Sequence, residues 1–241
     1  MMMTRFSWVL ILFLSAPLIA QENFVSISFG ISLPQGDYAG TGDLASNGYA
    51  KTSGAIKFDA GYFPSSYLGI GGSFSFGSNY AIKDSIRNDI RRHILTHIPG
   101  TGIPDDSITY ATGFWNYINL FIGPHFSMRP AERVYLDFRV LGGLSILRPP
   151  DQEFIAIING EEIRSFTSSN ALSLGGVASV GMRYKLNDKL ALKLEADYMS
   201  TLITKVVFDY DFRFAGDVIP PVESELTVSA VELMVGLAYA F

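Results

Sequence analysis

His125, Ser127 and Asp137 are the residues of this 241-residue chain whose types and spacing most invite chemistry. On a strand, His125 and Ser127 share a face. The tight turn Arg129–Glu132, centred on Ala131, predicts a register that brings Asp137 opposite His125. Such a pair could relay a proton or act in catalysis, but a structural cross-strand hydrogen bond is the favoured reading. His93 and His97 stand at helical spacing and could present two nitrogens on one face. A metal site needs a third ligand, and neither that nor an H-E-x-x-H element accompanies them. No G-x-S-x-G elbow, phosphate-cradling glycine loop or P-loop occurs. The chain has no cysteine, which excludes disulfides, and no cofactor is called for.

The elements that must position these residues show a period of two. In the last fifteen residues, Val231, Leu233, Val235, Leu237, Tyr239 and Phe241 fall on one face, and Glu232 falls on the other. Seven further segments repeat the pattern. Their outward positions begin with Val25–Ile31, Ile56–Tyr62, Leu68–Phe76 and Ile118–Phe126, and continue with Val134–Ile146, Leu172–Met182 and Leu190–Tyr198. Each reaches the roughly 9–11 residues that a tilted membrane-spanning strand needs. Charged residues make up only 17% of the chain, and none occupies an outward position.

Pro64–Ser66, Arg129–Glu132 and Lys185–Lys189 read as tight turns. They alternate with four long stretches, Leu33–Ser53, Gly77–Tyr110, Leu147–Asn170 and Val207–Leu226. Met1–Ala20 reads as a secretory signal, with Arg5 ahead of the apolar run Trp8–Leu14, which leaves 21–241 as one domain. A net charge of −5 gives no reason to expect nucleic acid.

Charges gather on the inward parity. Lys57, Arg139, Arg183 and Lys193 face Asp59, Asp137, Glu195, Asp197 and Glu232, with His125 among them. An eight-stranded barrel has an interior just wide enough for side chains to fill, so these groups are expected to pair into a polar plug. Pro124, inside a strand, removes a ladder donor and predicts a local irregularity.

In signal, eight dyad-repeat strands, three short turns, four long loops and a terminal Tyr239-Ala240-Phe241, the chain resembles the eight-stranded outer-membrane β-barrel family of the OmpX, OmpA-domain and PorT-like kind. The resemblance implies an all-β, antiparallel up-and-down barrel with both termini periplasmic and the long loops extracellular. Tyr239 and Phe241 are similar to the family's signal for the barrel-insertion machinery. Outer-membrane lipid and lipopolysaccharide are the implied surroundings. Some barrels of this class modify lipid A, and His125-Phe126-Ser127 resembles the deacylase His-x-Ser element. It sits, however, near the end away from the outer leaflet where lipid A lies. The expected function is non-enzymatic: structural, adhesive or partner-binding, with no large open pore. A small-solute channel and a lipid A-modifying enzyme are the alternatives.

Two features are expected beyond the membrane. Phe154–Ile158 and Glu161–Phe166 flank Asn159-Gly160 as a hairpin, and the parity of Phe208, Tyr210, Phe212 and Phe214 continues the seventh strand, so strands five to eight should project as a β-rich wall. An added strand from a partner would fit such an edge. Ile82, Ile86, Ile90 and Ile94, with Lys83, Arg87, Arg91, Arg92 and His93 around them, predict an amphipathic helix that rests on anionic headgroups or lids the barrel.

Overall fold

A computed structural model describes residues 22–97, 108–158, 161–167, 169–208, 213–214, 217–218 and 222–241. The signal reading of Met1–Ala20, the Asn159-Gly160 turn, and Asp209, Tyr210, Asp211 and Phe212 lie outside these residues, as do the side chains of Ile94, His97, Phe208 and Phe214. In chain order the elements are β1 (Phe24–Gln35), α1 (Gly36–Ala39), β2 (Ala50–Lys51), β3 (Ser53–Tyr62), β4 (Leu68–Ala81), α2 (Lys83–His97), β5 (Ile108–Thr112), β6 (Phe114–Ala131) and β7 (Val134–Arg148). There follow β8 (Gln152–Ile158), β9 (Glu161–Thr167), β10 (Ala171–Lys185), β11 (Leu190–Thr201), β12 (Thr204–Phe208), β13 (Arg213–Phe214), β14 (Asp217–Val218), β15 (Val222–Leu226) and β16 (Ser229–Ala240).

Eight strands close on themselves. β1, β3, β4, β6, β7, β10, β11 and β16 each pair antiparallel with the next, and β16 returns to β1 from Phe24↔Ala240 through Gln35↔Ser229. Closure satisfies every edge, which an apolar surround demands because it offers the backbone no partners. Among the described residues no helix is long and apolar enough to cross a membrane.

Every outward position read from the period of two is exposed or half-exposed, and none is buried. Val25, Phe29, Ile70, Leu120, Val140, Leu174, Leu194 and Val235 form an apolar belt around the wall. Tyr62, Tyr67, Tyr184 and Tyr239 rim it at the short-turn end. Tyr80 and Phe114, with ring centroids 4.9 Å apart, rim it at the other. Apolar height between aromatic girdles is how a barrel wall meets a bilayer.

The short turns are held by side chains. Asn187 Oδ1 accepts the N–H groups of Lys189 and Leu190, each at 2.9 Å. Ser65 Oγ accepts the N–H of Leu68 at 3.0 Å. The turn between β6 and β7 departs from the expected register. Ala131 pairs with Val134, and the ladder slips between Met128 and Ala131. The turn thus lies later than a centre on Ala131 would place it, and the one-residue slip restores the parity, so that His125 stands opposite Arg139 and Ser127 opposite Asp137, two residues from the expected pairing. Pro124 causes no slip. It is exposed, lacks a ladder partner on β7, and the register on either side of it is unchanged.

At the long-loop end, α2 lays Ile86 and Ile90 onto a core of Tyr38, Tyr49, Trp115, Phe154, Leu226 and Val228. The helix is thus a lid. β8 pairs with β9, the ladder ending at Ile158↔Glu161. Its other neighbour is β5, which leads into β6, so the wall draws on the fourth barrel strand as well as on five to eight. β11 stops at Thr201, and after Leu202 and Ile203 its course resumes as β12, paired with β15.

The lid is pinned at Tyr49, whose φ of +55° lies where a bulky residue is rarely found. Its carbonyl accepts the N–H of Ile82 at 2.8 Å, and its hydroxyl donates to Asp89 on α2 at 2.6 Å. Burial, then the bond to Asp89 and its charge, push the Tyr49 phenol above its ordinary range, so it stays a neutral donor. Tyr49→Phe should loosen the lid by about 1–3 kcal/mol. Limited proteolysis within 83–97 should become faster, and unchanged cleavage would show that the bond does not hold the helix.

Candidate functional site

The inward side chains of the eight strands fill the lumen in three levels. Lowest, near the short turns, the Arg183 guanidinium lies 3.8 Å from the Phe24 ring centroid and 4.9 Å from that of Tyr135. It donates to Asp137 at 2.6 and 2.9 Å and to Ser127 at 3.2 Å. His125 Nε2 meets the same carboxylate at 3.2 Å, and its ring stands edge-on to Phe24 and Phe63. His125, Ser127 and Asp137 are thus brought together, buried behind aromatic rings. The arrangement orients groups, since His125 and Arg183 both spend donors on Asp137.

The middle level is ionic. Lys57 on β3 crosses to Glu195 and Asp197 on β11. Arg139 on β7 reaches Asp59 on β3 at 2.7 Å and also Glu195. Lys193 joins Asp59 and Glu195, the latter at 2.9 Å. All six groups are at most 5% exposed. Charges this deep persist only when paired, because desolvation costs several kcal/mol per ion. The pairs span the lumen from wall to wall.

The upper level sets one carboxyl, that of Glu232, among uncharged groups. Tyr117, from the wall opposite β16, donates to Glu232 Oε1 at 2.6 Å and lies 2.9 Å from Ser32 Oγ. Gly77 makes room for it, since a Cβ there would land on the Tyr117 ring. Asn79 accepts from Ser32 and Tyr38, both at 3.2 Å, and donates to the Lys51 carbonyl at 2.9 Å. Asn119 links Ser75 and Ser145, at 3.1 and 2.7 Å. These neutral groups were missed when only ionisable residues were sought. Their inward parity was the available signal.

Among the described residues no three His, Cys, Asp or Glu side chains are grouped as a metal would need. The carboxylates of the middle level already hold the chain's own cations. Tyr239 and Phe241 stand outward at the short-turn end, Phe241 with its N–H on the Asn23 carbonyl at 3.0 Å.

The family described as outer membrane protein beta-barrel domain matches residues 6–241. No curated protein matches the sequence. Among solved structures, the chain is similar to Ail, the attachment invasion locus protein of Yersinia pestis, at 16% identity and a TM-score of 0.41, covering 92% of this chain and 100% of that one. OprG from Pseudomonas aeruginosa is similar at 11% identity and a TM-score of 0.48, covering 94% and 99%. The outer membrane protease OmpT from Escherichia coli is similar at 10% identity and a TM-score of 0.36, covering 94% and 99%.

Proposed function

This chain belongs to the outer membrane protein β-barrel domain family, and from that premise we propose a non-enzymatic barrel whose lumen is a structural plug and whose long-loop end serves structure, adhesion or the binding of a surface partner. The barrel is placed with its short turns and termini toward the periplasm and its lidded end outside the cell. Met1–Ala20 is the export signal, and Tyr239 and Phe241 present the chain to the insertion machinery. Outer-membrane lipid and lipopolysaccharide then surround the belt.

The observation that carries the plug is the ionic layer of Lys57, Asp59, Arg139, Lys193, Glu195 and Asp197 strung between opposite walls. A solute passing through would have to part these pairs in a poorly solvated space. Both ends support the reading. Space of about 10 Å³ is left between Phe24, Tyr135, Arg183 and Leu190 below, and the same between Tyr49, Ile86, Trp115 and Gln152 above. Neither holds more than one water. Partner binding is supported by β9, which among the described residues pairs with β8 alone and so offers a strand edge.

Reconstituted in a planar bilayer, the protein should show no large steady conductance. Sustained porin-like currents would overturn the plug and favour a solute channel.

A further inference from the structure

Asp197 on β11 and Glu232 on β16 are direct cross-strand partners on the inner face, and each is 2% exposed. Lys57 occupies Asp197 Oδ2, while Asp197 Oδ1 is buried with no hydrogen-bond donor among the described residues. Glu232 receives a hydroxyl hydrogen from Tyr117 and makes no ion pair among the described residues, while Lys57 is committed to Glu195 and Asp197.

The charges below it balance without it. Lys57, Arg139 and Lys193 match Asp59, Glu195 and Asp197, and Arg183 matches Asp137. His125 adds no charge: an imidazolium needs two acceptors, and its Nδ1 has none among the described residues. An ionised Glu232 would therefore be a lone surplus anion, facing Asp197 across a pair whose Cβ atoms stand about 4.5–5.5 Å apart.

We propose that Glu232 is a proton-binding site at neutral pH, its carboxyl O–H donated to Asp197 Oδ1, so that the two side chains carry one negative charge between them. One proton supplies the donor that Asp197 lacks and removes the surplus charge. The groups facing the pair are Tyr117 from β6, Ser32 from β1, Lys57 and Asp59 from β3, Asn79 from β4, Arg139 from β7, Glu195 from β11 and Tyr38 from α1. Two like carboxylates so close titrate as one unit. Alkaline pH takes the proton, sets two anions against each other and pulls at the Tyr117 contact, so the neck beneath the lid loosens.

Infrared spectra of the full chain folded in lipid vesicles test this. At neutral pH the wild type should show a protonated-carboxyl band that vanishes on alkalinisation and is missing in Glu232→Gln. The amide of that variant can still accept from Tyr117 and donate to Asp197, and unboiled gel migration checks its folding. Asp197→Asn gives Glu232 an amide donor in place of an anion, so it should ionise and the band should again be lost. Absence of the band from the wild type overturns the proposal, as does its persistence in Glu232→Gln. Should Glu232→Gln fail to fold, Asp197→Asn decides by the same reading. Conductance does not enter this outcome, so plug and proton site stand or fall separately.

Discussion

Arg139→Ala should destabilise the folded barrel by about 3–5 kcal/mol, the usual cost of removing one partner from a buried ionic group. Arg139 and Lys193 both bridge Asp59 and Glu195, which lie on different strands, and the Arg139 side chain is sealed from solvent. Alanine leaves Lys193 shared between two carboxylates and opens a space too deep for ready hydration. Arg139→Lys should recover part of the loss, since one ammonium cannot reproduce the two-directional fork of a guanidinium. Urea titration in vesicles, followed by the difference between boiled and unboiled gel migration, gives the number. A loss under about 1 kcal/mol, the worth of a solvated surface pair, would mean that water reaches the site and the lumen is not sealed.

Val235→Arg should cost about 2–4 kcal/mol, because a cation near the bilayer midplane must be dragged into hydrocarbon. Val235 stands outward in the middle of β16, between Phe29 on β1 and Leu194 on β11. The same substitution at Tyr184, at the rim, should cost about 0–1 kcal/mol. The contrast matters more than either value. A water-exposed belt would tolerate arginine equally at both positions, so equal stabilities in urea titration would refute the membrane belt.

Which face each residue takes was legible in the sequence, because side chains on a strand alternate whatever the register. Lys57, Asp59, Arg139, Lys193, Glu195 and Asp197 were assigned inward on that ground, and the structure places them there. Which of them meet was not legible. Lys57 is 138 residues from Glu195, and their contact depends on how the sheet closes, a property of the whole ring. His125 and Asp137 show a subtler limit. The turn lies later than expected, and with the one-residue bulge between Met128 and Ala131 the pairing falls two residues from expectation, yet the long side chains still meet diagonally at 3.2 Å. Tyr117 escaped notice because a tyrosine on an alternating strand carries no charge to mark it, although its reach across the lumen places it against Glu232. The α2 helix was legible from its isoleucines, but its seat needed Tyr49 and Trp115, brought in from other parts of the chain.

The pairing of β1 with β16 has a further consequence, for how the chain folds. Phe24 must find Ala240 across nearly the full sequence, and until it does β1 and β16 each show an unpaired edge. The entropy of that closure rises only slowly with loop length, but no reward arrives before the ring is complete. Halfway structures therefore remain open, sticky ribbons, and a partner that shields strand edges until the last residues arrive would shorten their lifetime. The same ring that leaves the finished barrel wall without an edge makes its assembly close to all-or-none.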